Sequence, residues 1–280
     1  MKKRNLALIL MTMLALSSFA GCENKPSEGS KAPSVSTAQE SAQKSEYNLI
    51  SPADAVAAAK EGEKHVLDVR EWSKYATGRI VGSEYCPIFP LDNEALVETM
   101  KAYAEKNLKD GKEIYLVCNS GQKGAQKATK VLKESGIDES LIFTVEGGAK
   151  ALAEIKDALS TNRTEEKINW KYAKATDVLA IKDAQIVDVR DNETYAQGHL
   201  ENSLQVGLKE IESSDAQIAL FELANAKLDK SKPVYFLCYS GNKCAKTAIS
   251  ALNDAGFDVD NLFIIENGAK DEAVQKAFVK

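Results

Sequence analysis

Tyr235-Phe236-Leu237-Cys238-Tyr239-Ser240-Gly241-Asn242-Lys243-Cys244-Ala245-Lys246 decides how the chain is read, because Tyr115-Leu116-Val117-Cys118-Asn119-Ser120-Gly121-Gln122-Lys123-Gly124-Ala125-Gln126 repeats it upstream. Each stretch opens with an apolar run rich in aromatic and branched residues, the pattern of a buried strand. Each then reaches a cysteine, a small polar turn with a glycine, a lysine and an alanine-rich run that reads as a helix. A thiol at the C-terminal end of a strand, facing the start of the next helix, lies among unpaired backbone N–H groups and the positive end of the helix dipole. Such a setting favours the thiolate, which is the nucleophilic form. Cys118 and Cys238 are therefore the candidate nucleophiles. Ser120, Gly121 and Lys123, with Ser240, Gly241 and Lys243, are the candidate substrate-binding residues of the two loops.

The repetition extends well beyond the loops. Asp68-Val69-Arg70 recurs as Asp188-Val189-Arg190, Tyr75-Ala76 with Gly78 as Tyr195-Ala196 with Gly198, and Glu146-Gly147-Gly148-Ala149-Lys150 as Glu266-Asn267-Gly268-Ala269-Lys270. Every pair is separated by 120 positions, so the chain is a duplication without net insertion. Copies of about 110–120 residues match a common domain size. The expected domains are residues 46–160 and 165–280, with a polar seam over 160–167. Within the first copy, strands are expected over 66–70, 83–88, 113–118 and 141–145. Helices are expected over 71–76, 93–108, 125–134 and 149–159. Strands alternating with helices imply an α/β fold, each domain a parallel sheet with helices on both faces. In such sheets chemistry belongs at the carboxyl ends of the strands, where both cysteines fall.

Composition bounds the function. Hydrophobic residues make up 44% and charged residues 28%, ordinary for a globular protein, and the formal net charge of −5 argues against nucleic-acid binding. Five cysteines, Cys22, Cys86, Cys118, Cys238 and Cys244, are too few and too unevenly spaced for a disulfide scaffold, and no CxxC pair suggests a metal. Residues 1–21 combine Lys2-Lys3-Arg4 with a short apolar run from Leu6 to Leu16 and end in small residues, the plan of an export signal. Small residues directly before Cys22 resemble a bacterial lipoprotein cleavage box, which implies lipidation of Cys22, a cell-membrane anchor and work on the extracytoplasmic side. Residues 22–45 carry almost no large apolar side chain and read as a disordered tether.

With these motifs in order twice, the chain resembles a tandem rhodanese-like sulfurtransferase. The resemblance covers about Leu49 to the C-terminus and includes Gly198-His199-Leu200, with Gly78-Arg79-Ile80 in the first copy. It implies that sulfane sulfur moves from a donor such as thiosulfate or a persulfide to a thiol or cyanide-like acceptor, through a cysteine persulfide and without a cofactor. The loops run six residues from cysteine to a basic residue. Phosphatases of the same fold use one residue more and an arginine, a position held here by Gly124 or Cys244. Lysine at 123 and 243 keeps the charge of the family's usual arginine but not its planar fork. Two other readings stay open: a carrier that holds a persulfide or anion without turnover, and a thiol redox protein using Cys238 with Cys244.

The remaining polar residues are expected to be structural. Asp68 with Arg70 and Asp188 with Arg190 should brace loops as ion pairs, and His199 should be hydrogen-bonded. Cys86 should pack in a strand, and Trp72 and Trp170 at domain edges. His65 should be exposed in a turn, and Glu146 and Glu266 should cap the helices that follow them.

Overall fold

The computed structural model describes residues 47–280. The leader, the tether and Cys22 lie outside the described residues.

The first domain runs β1 (Asn48–Ile50), α1 (Pro52–Glu61), β2 (His65–Asp68), α2 (Trp72–Tyr75), β3 (Glu84–Tyr85), α3 (Glu94–Asn107), β4 (Ile114–Val117), α4 (Lys123–Glu134), β5 (Ile142–Val145) and α5 (Gly148–Leu152). The second runs β6 (Lys171–Ala173), α6 (Ala175–Leu179), β7 (Gln185–Asp188), α7 (Asn192–Gln197), β8 (His199–Leu200), β9 (Leu204–Gln205), α8 (Ser214–Lys227), β10 (Val234–Leu237), α9 (Lys243–Asp254), β11 (Leu262–Ile265), α10 (Glu272–Ala277) and β12 (Phe278–Val279). Each domain holds a five-stranded sheet, in the orders β1-β5-β4-β2-β3 and β6-β11-β10-β7-β9. Every pairing in the two sheets is parallel. The fold is therefore α/β, as the alternating pattern predicts.

The middle strand of each sheet carries a thiol loop. All four residues of β4 and of β10 are buried, because helices cover both faces and leave no solvent side on which polar residues could alternate. In the first domain, one core holds Leu67, Met100, Leu116, Ala128 and Leu132, between the sheet and the helices α3 and α4. A second holds Ala55, Val66, Val117, Val145 and Leu152, on the face of α1 and α5.

Three local outcomes differ from the sequence pattern. First, β1 and α1 add a strand and a helix that hydrophobic periodicity does not announce. Ser51 caps α1 by accepting from the Asp54 N–H at 3.2 Å, Pro52 occupies its first turn and Gly62 closes it at φ 75°. Its buried face is only Ala55, Ala58 and Ala59, too small to stand out. Second, the strand expected over 83–88 forms a ladder only at Glu84–Tyr85, with the Cys86 and Ile88 N–H groups donating onward to Asp68 and Val69 carbonyls. Third, the helix expected over 149–159 stops at Leu152. Asp157 turns left-handed at φ 59°, and Ser160 pairs with Arg79 in an isolated antiparallel bridge.

The two domains are clasped through that seam. Arg163 is fully buried and donates to Gln217 Oε1 (2.7 Å), Ser250 Oγ (3.2 Å) and Asp254 Oδ2 (2.5 Å). Its guanidinium lies 4.9 Å from the centre of the Trp72 ring. Trp72 stacks on Phe221 with centroids 4.1 Å apart and joins the core of the second domain. Arg79, also buried, holds Ser160 O at 2.9 Å and bonds Glu166. A cleft of about 910 Å³ lies between the domains, lined by Tyr85, Tyr103, Glu166, Asp254 and Phe257 among others. It sits at the Asp254 end of α9, about 18 Å along the helix from the thiol loop, and touches neither candidate nucleophile.

Candidate active site

Each loop is a turn from the carboxyl end of the central strand into a helix. Cys118 follows β4 and Cys238 follows β10, both with 1% of their surface exposed. Lys123 and Lys243 are the first residues of α4 and α9 and are exposed, as are Ser120 and Ser240. Neither helix has an acidic residue in its first turn, and neither start is capped by a side chain, so the positive helix end is left for the loop. In the second copy the Asn242 N–H donates to Cys238 Sγ at 3.2 Å. A hydrogen bond to sulfur at a helix start stabilises the thiolate. The mouth of this loop opens into a hollow of about 590 Å³ lined by Ser240, Asn267, Lys270, Asp271 and Glu272.

The turn after the last core strand locks each loop. Ala149 N donates to Cys118 O and Ala269 N to Cys238 O, both at 2.8 Å. Gly148 (φ 58°) and Gly268 (φ 54°) adopt the left-handed region at this contact. A β-carbon at 148 would run into Cys118 O and lie 2.7 Å from Gly121 N, and one at 268 would do the same to Cys238 O and Gly241 N. Only glycine allows the two backbones to approach so closely in the left-handed region. This explains why the Glu-Gly-Gly-like motif belongs to the site. Gly121 (φ 68°) and Gly241 (φ 66°) face the same turn from the loop side.

Four equivalent positions set the chemistry of the two mouths apart. In the second copy, Tyr239 donates its hydroxyl to Asp191 Oδ2 at 2.6 Å, and Lys209 reaches the same carboxylate at 3.1 Å. The Tyr239 hydrogen bond, with N–H donation from Thr194, holds the Asp191 carboxyl far below the usual carboxylate range. The first copy has Asn119, Glu71 and Phe89 in these places, and Glu71 Oε2 is buried without a hydrogen-bond partner. The fourth difference is Gly124 against Cys244. A β-carbon at 124 would lie 2.6 Å from Phe89 Cζ, so the phenyl ring fills the room that a side chain would need. In the second copy Cys244 takes that room, 9% exposed and packed in one core with Cys238, Val189 and Leu208. Burial, with the neighbouring Cys238, pushes the Cys244 thiol up to about 11.

The bracing pairs form as the sequence suggests. Arg70 Nε and Nη2 bond Asp68 at 2.9 and 2.7 Å, with Nη2 also on Gly78 O at 2.8 Å. Arg190 does the same with Asp188 (2.9 and 2.6 Å) and Gly198 O (2.8 Å). His199 stacks on Tyr195 and contacts Tyr195 O at 3.2 Å. Cys86 is buried in the core, which pushes its thiol up to about 12. Two expectations are corrected. His65 is not free in a turn: it is half-buried, with Nδ1 2.6 Å from Glu84 Oε1 and Nε2 3.2 Å from Asp110 Oδ1, because β2 carries it beside those carboxylates. Glu146 and Glu266 do not cap the following turns. Their side chains are exposed, while left-handed Gly147 and Asn267 occupy the cap positions. Arg163 was hidden from sequence reasoning in a polar run, and its burial has no local signature. Among the described residues no cluster of His, Cys, Asp or Glu could hold a metal ion, no disulfide forms, and no helix is long and apolar enough to cross a membrane.

A family model described as the rhodanese-like domain matches residues 51–154 and again 173–271. No curated protein matches the chain. Similar solved structures include thiosulfate sulfurtransferase from Pseudomonas aeruginosa, 16% identical over 79% of this chain and 41% of that one, TM-score 0.37. The As-Sb reductase from Leishmania major is 19% identical over 41% of this chain and 86% of that one, TM-score 0.35. A 3-mercaptopyruvate sulfotransferase from Escherichia coli is 18% identical over 79% and 98%, TM-score 0.31. The chain thus spans less than half the length of the Pseudomonas protein.

Proposed function

The chain belongs to the rhodanese-like domain family, and from that premise we propose that it is a sulfurtransferase working through a cysteine persulfide. The Cys238 thiolate attacks the outer sulfur of a donor such as thiosulfate. The sulfur–sulfur bond of the donor breaks, sulfite leaves, and the cysteine carries the outer sulfur as an anionic persulfide. A thiophilic acceptor then takes that sulfur and returns the thiolate, a two-step exchange. The observation that carries this reading is the Asn242 N–H donated to Cys238 Sγ at the uncompensated start of α9. The same N–H group suits the persulfide anion, and Lys243 draws an anionic donor to the mouth. Cys118 with Lys123 takes the same parts in the first copy. The short loop suits one sulfur atom better than a phosphate, which needs a wider cradle and a bidentate arginine.

Incubating the protein with thiosulfate and weighing its peptides tests the reading. One added sulfur on the peptides holding Cys118 or Cys238 is expected. Its absence from both would sink the mechanism, and loading without turnover on cyanide or thiols would favour a carrier. We place the activity outside the cytoplasm on the strength of the Lys2-to-Cys22 pattern alone. Cys22→Ala should move the protein from the membrane fraction to the soluble one.

A further inference from the structure

We propose that Cys244 is a resolving thiol that discharges the Cys238 persulfide as hydrosulfide, so that the second domain reduces sulfane sulfur while the first only carries it. This rests on the persulfide reading above and adds a second chemical outcome to it.

The placement comes from the repeat. A β-carbon at Gly124 would lie 3.0 Å from the Cys118 β-carbon, and Cys244 holds the equivalent position beside Cys238. Disulfides need β-carbons about 3.5–4.5 Å apart, a span this neighbourhood reaches with a small outward shift. Both thiols belong to one buried core, where burial and then the neighbouring Cys238 raise the Cys244 thiol. The first copy has no thiol at the equivalent position, since Gly124 has no side chain and the Phe89 ring stands in its place, and its core cysteine Cys86 comes from the segment after β3 rather than from the loop. Lys209, at the register of Phe89, turns instead to Asp191 and leaves room for the thiol.

The chemistry balances without an outside oxidant, because the donor supplies the oxidising equivalents. Cys244 sulfur attacks Cys238 Sγ, the inner sulfur of the persulfide. The bond from Sγ to the outer sulfur breaks, its electron pair leaves with that sulfur, and the Cys244 proton goes with it. The products are a Cys238–Cys244 disulfide and hydrosulfide. Attack at the inner sulfur is favoured by position, since the repeat places the Cys244 β-carbon beside that of Cys238. It is also favoured by the leaving group, hydrosulfide being a weaker base than an ordinary cysteine thiolate. A dithiol reductant then reopens the disulfide by exchange, becoming a disulfide itself. Held as a neutral thiol at rest, Cys244 does not compete with Cys238 for the donor.

The test is a single anaerobic turnover with thiosulfate, followed by peptide mass and free sulfide. The full-length protein should show one added sulfur persisting on the Cys118 peptide. The peptides of Cys238 and Cys244 should be joined with loss of two hydrogens, with one sulfide released per disulfide. Cys244→Ser and Cys244→Ala should stop sulfide release and leave a stable added sulfur on Cys238. That loading also shows that the variant second domain is folded. A persulfide that persists on Cys238 in the unaltered protein, or a disulfide formed without sulfide, overturns the resolving role and leaves the transferase reading standing. No added sulfur on either cysteine, in the unaltered protein or the variants, overturns the transferase reading itself.

Discussion

Gly148 and Gly268 show how much of the site is decided by groups that carry no chemistry, since each lets the turn after the last core strand press against a cysteine carbonyl. Gly268→Ala would place a methyl group against Cys238 O in a backbone region that alanine avoids. We predict a loss of about 1–3 kcal/mol and slower sulfur loading of Cys238, with Cys118 loading unchanged as an internal reference. Separate loading rates by peptide mass in the Cys244→Ser background check this, and equal slowing of both sites would refute a local effect. His65 gives a pH signature of its own. The hydrogen bond to Glu84, aided by Asp110, raises its folded pKa above 6.5. A raised histidine stabilises fully below the unfolded value, and the benefit fades as pH climbs through the folded one. The melting temperature of the unaltered protein should therefore exceed that of His65→Asn by more at about pH 5.5 than at about pH 8.5.

At the scale of the elements, the strand-turn-helix units of the loops were legible because a short apolar run, a turn and an alanine-rich stretch each follow local rules. Asp-Val-Arg was legible for the same reason, as two residues apart on a strand end suffice for the bidentate pair. The β1–α1 unit was not, because its buried face is three alanines. The early end of α5 was not, because it depends on a bridge from Ser160 back to Arg79, which no local pattern encodes. Nor was the filling of the first loop by Phe89, which needs residues 35 positions apart in one place. The helix starts also carry a prediction. Lys243 is exposed, so Lys243→Ala should raise KM for an anionic donor about 3–10-fold and change kcat little, as expected of a surface charge worth about 1 kcal/mol. Lys243→Arg should restore most of it, and steady-state kinetics in the Cys118→Ser background would show an unchanged KM if the lysine is idle.

For the whole molecule, the seam ties the two domains together through buried polar and aromatic contacts. Arg163 from the connection binds three groups of the second domain while Trp72 of the first lies over its guanidinium. Arg163→Met would strand Asp254 in a buried site and should cost about 3–5 kcal/mol. Calorimetry should then resolve two unfolding transitions where the unaltered protein should give one, and adding Asp254→Asn should recover part of the loss. A single transition with an unchanged midpoint would show that the seam does not couple the domains.

The exchange of Phe89 and Gly124 for Lys209 and Cys244 also speaks to descent. The copies began as identical twins, so both positions diverged after the duplication. A thiol arriving while the ring is present would overpack the loop by about 1–3 kcal/mol, in direct contact with the nucleophile. A ring arriving while the thiol is present meets the same barrier. The passable route runs through a form with neither, a glycine beside an open gap, from which one lineage could acquire a plug and the other a second sulfur.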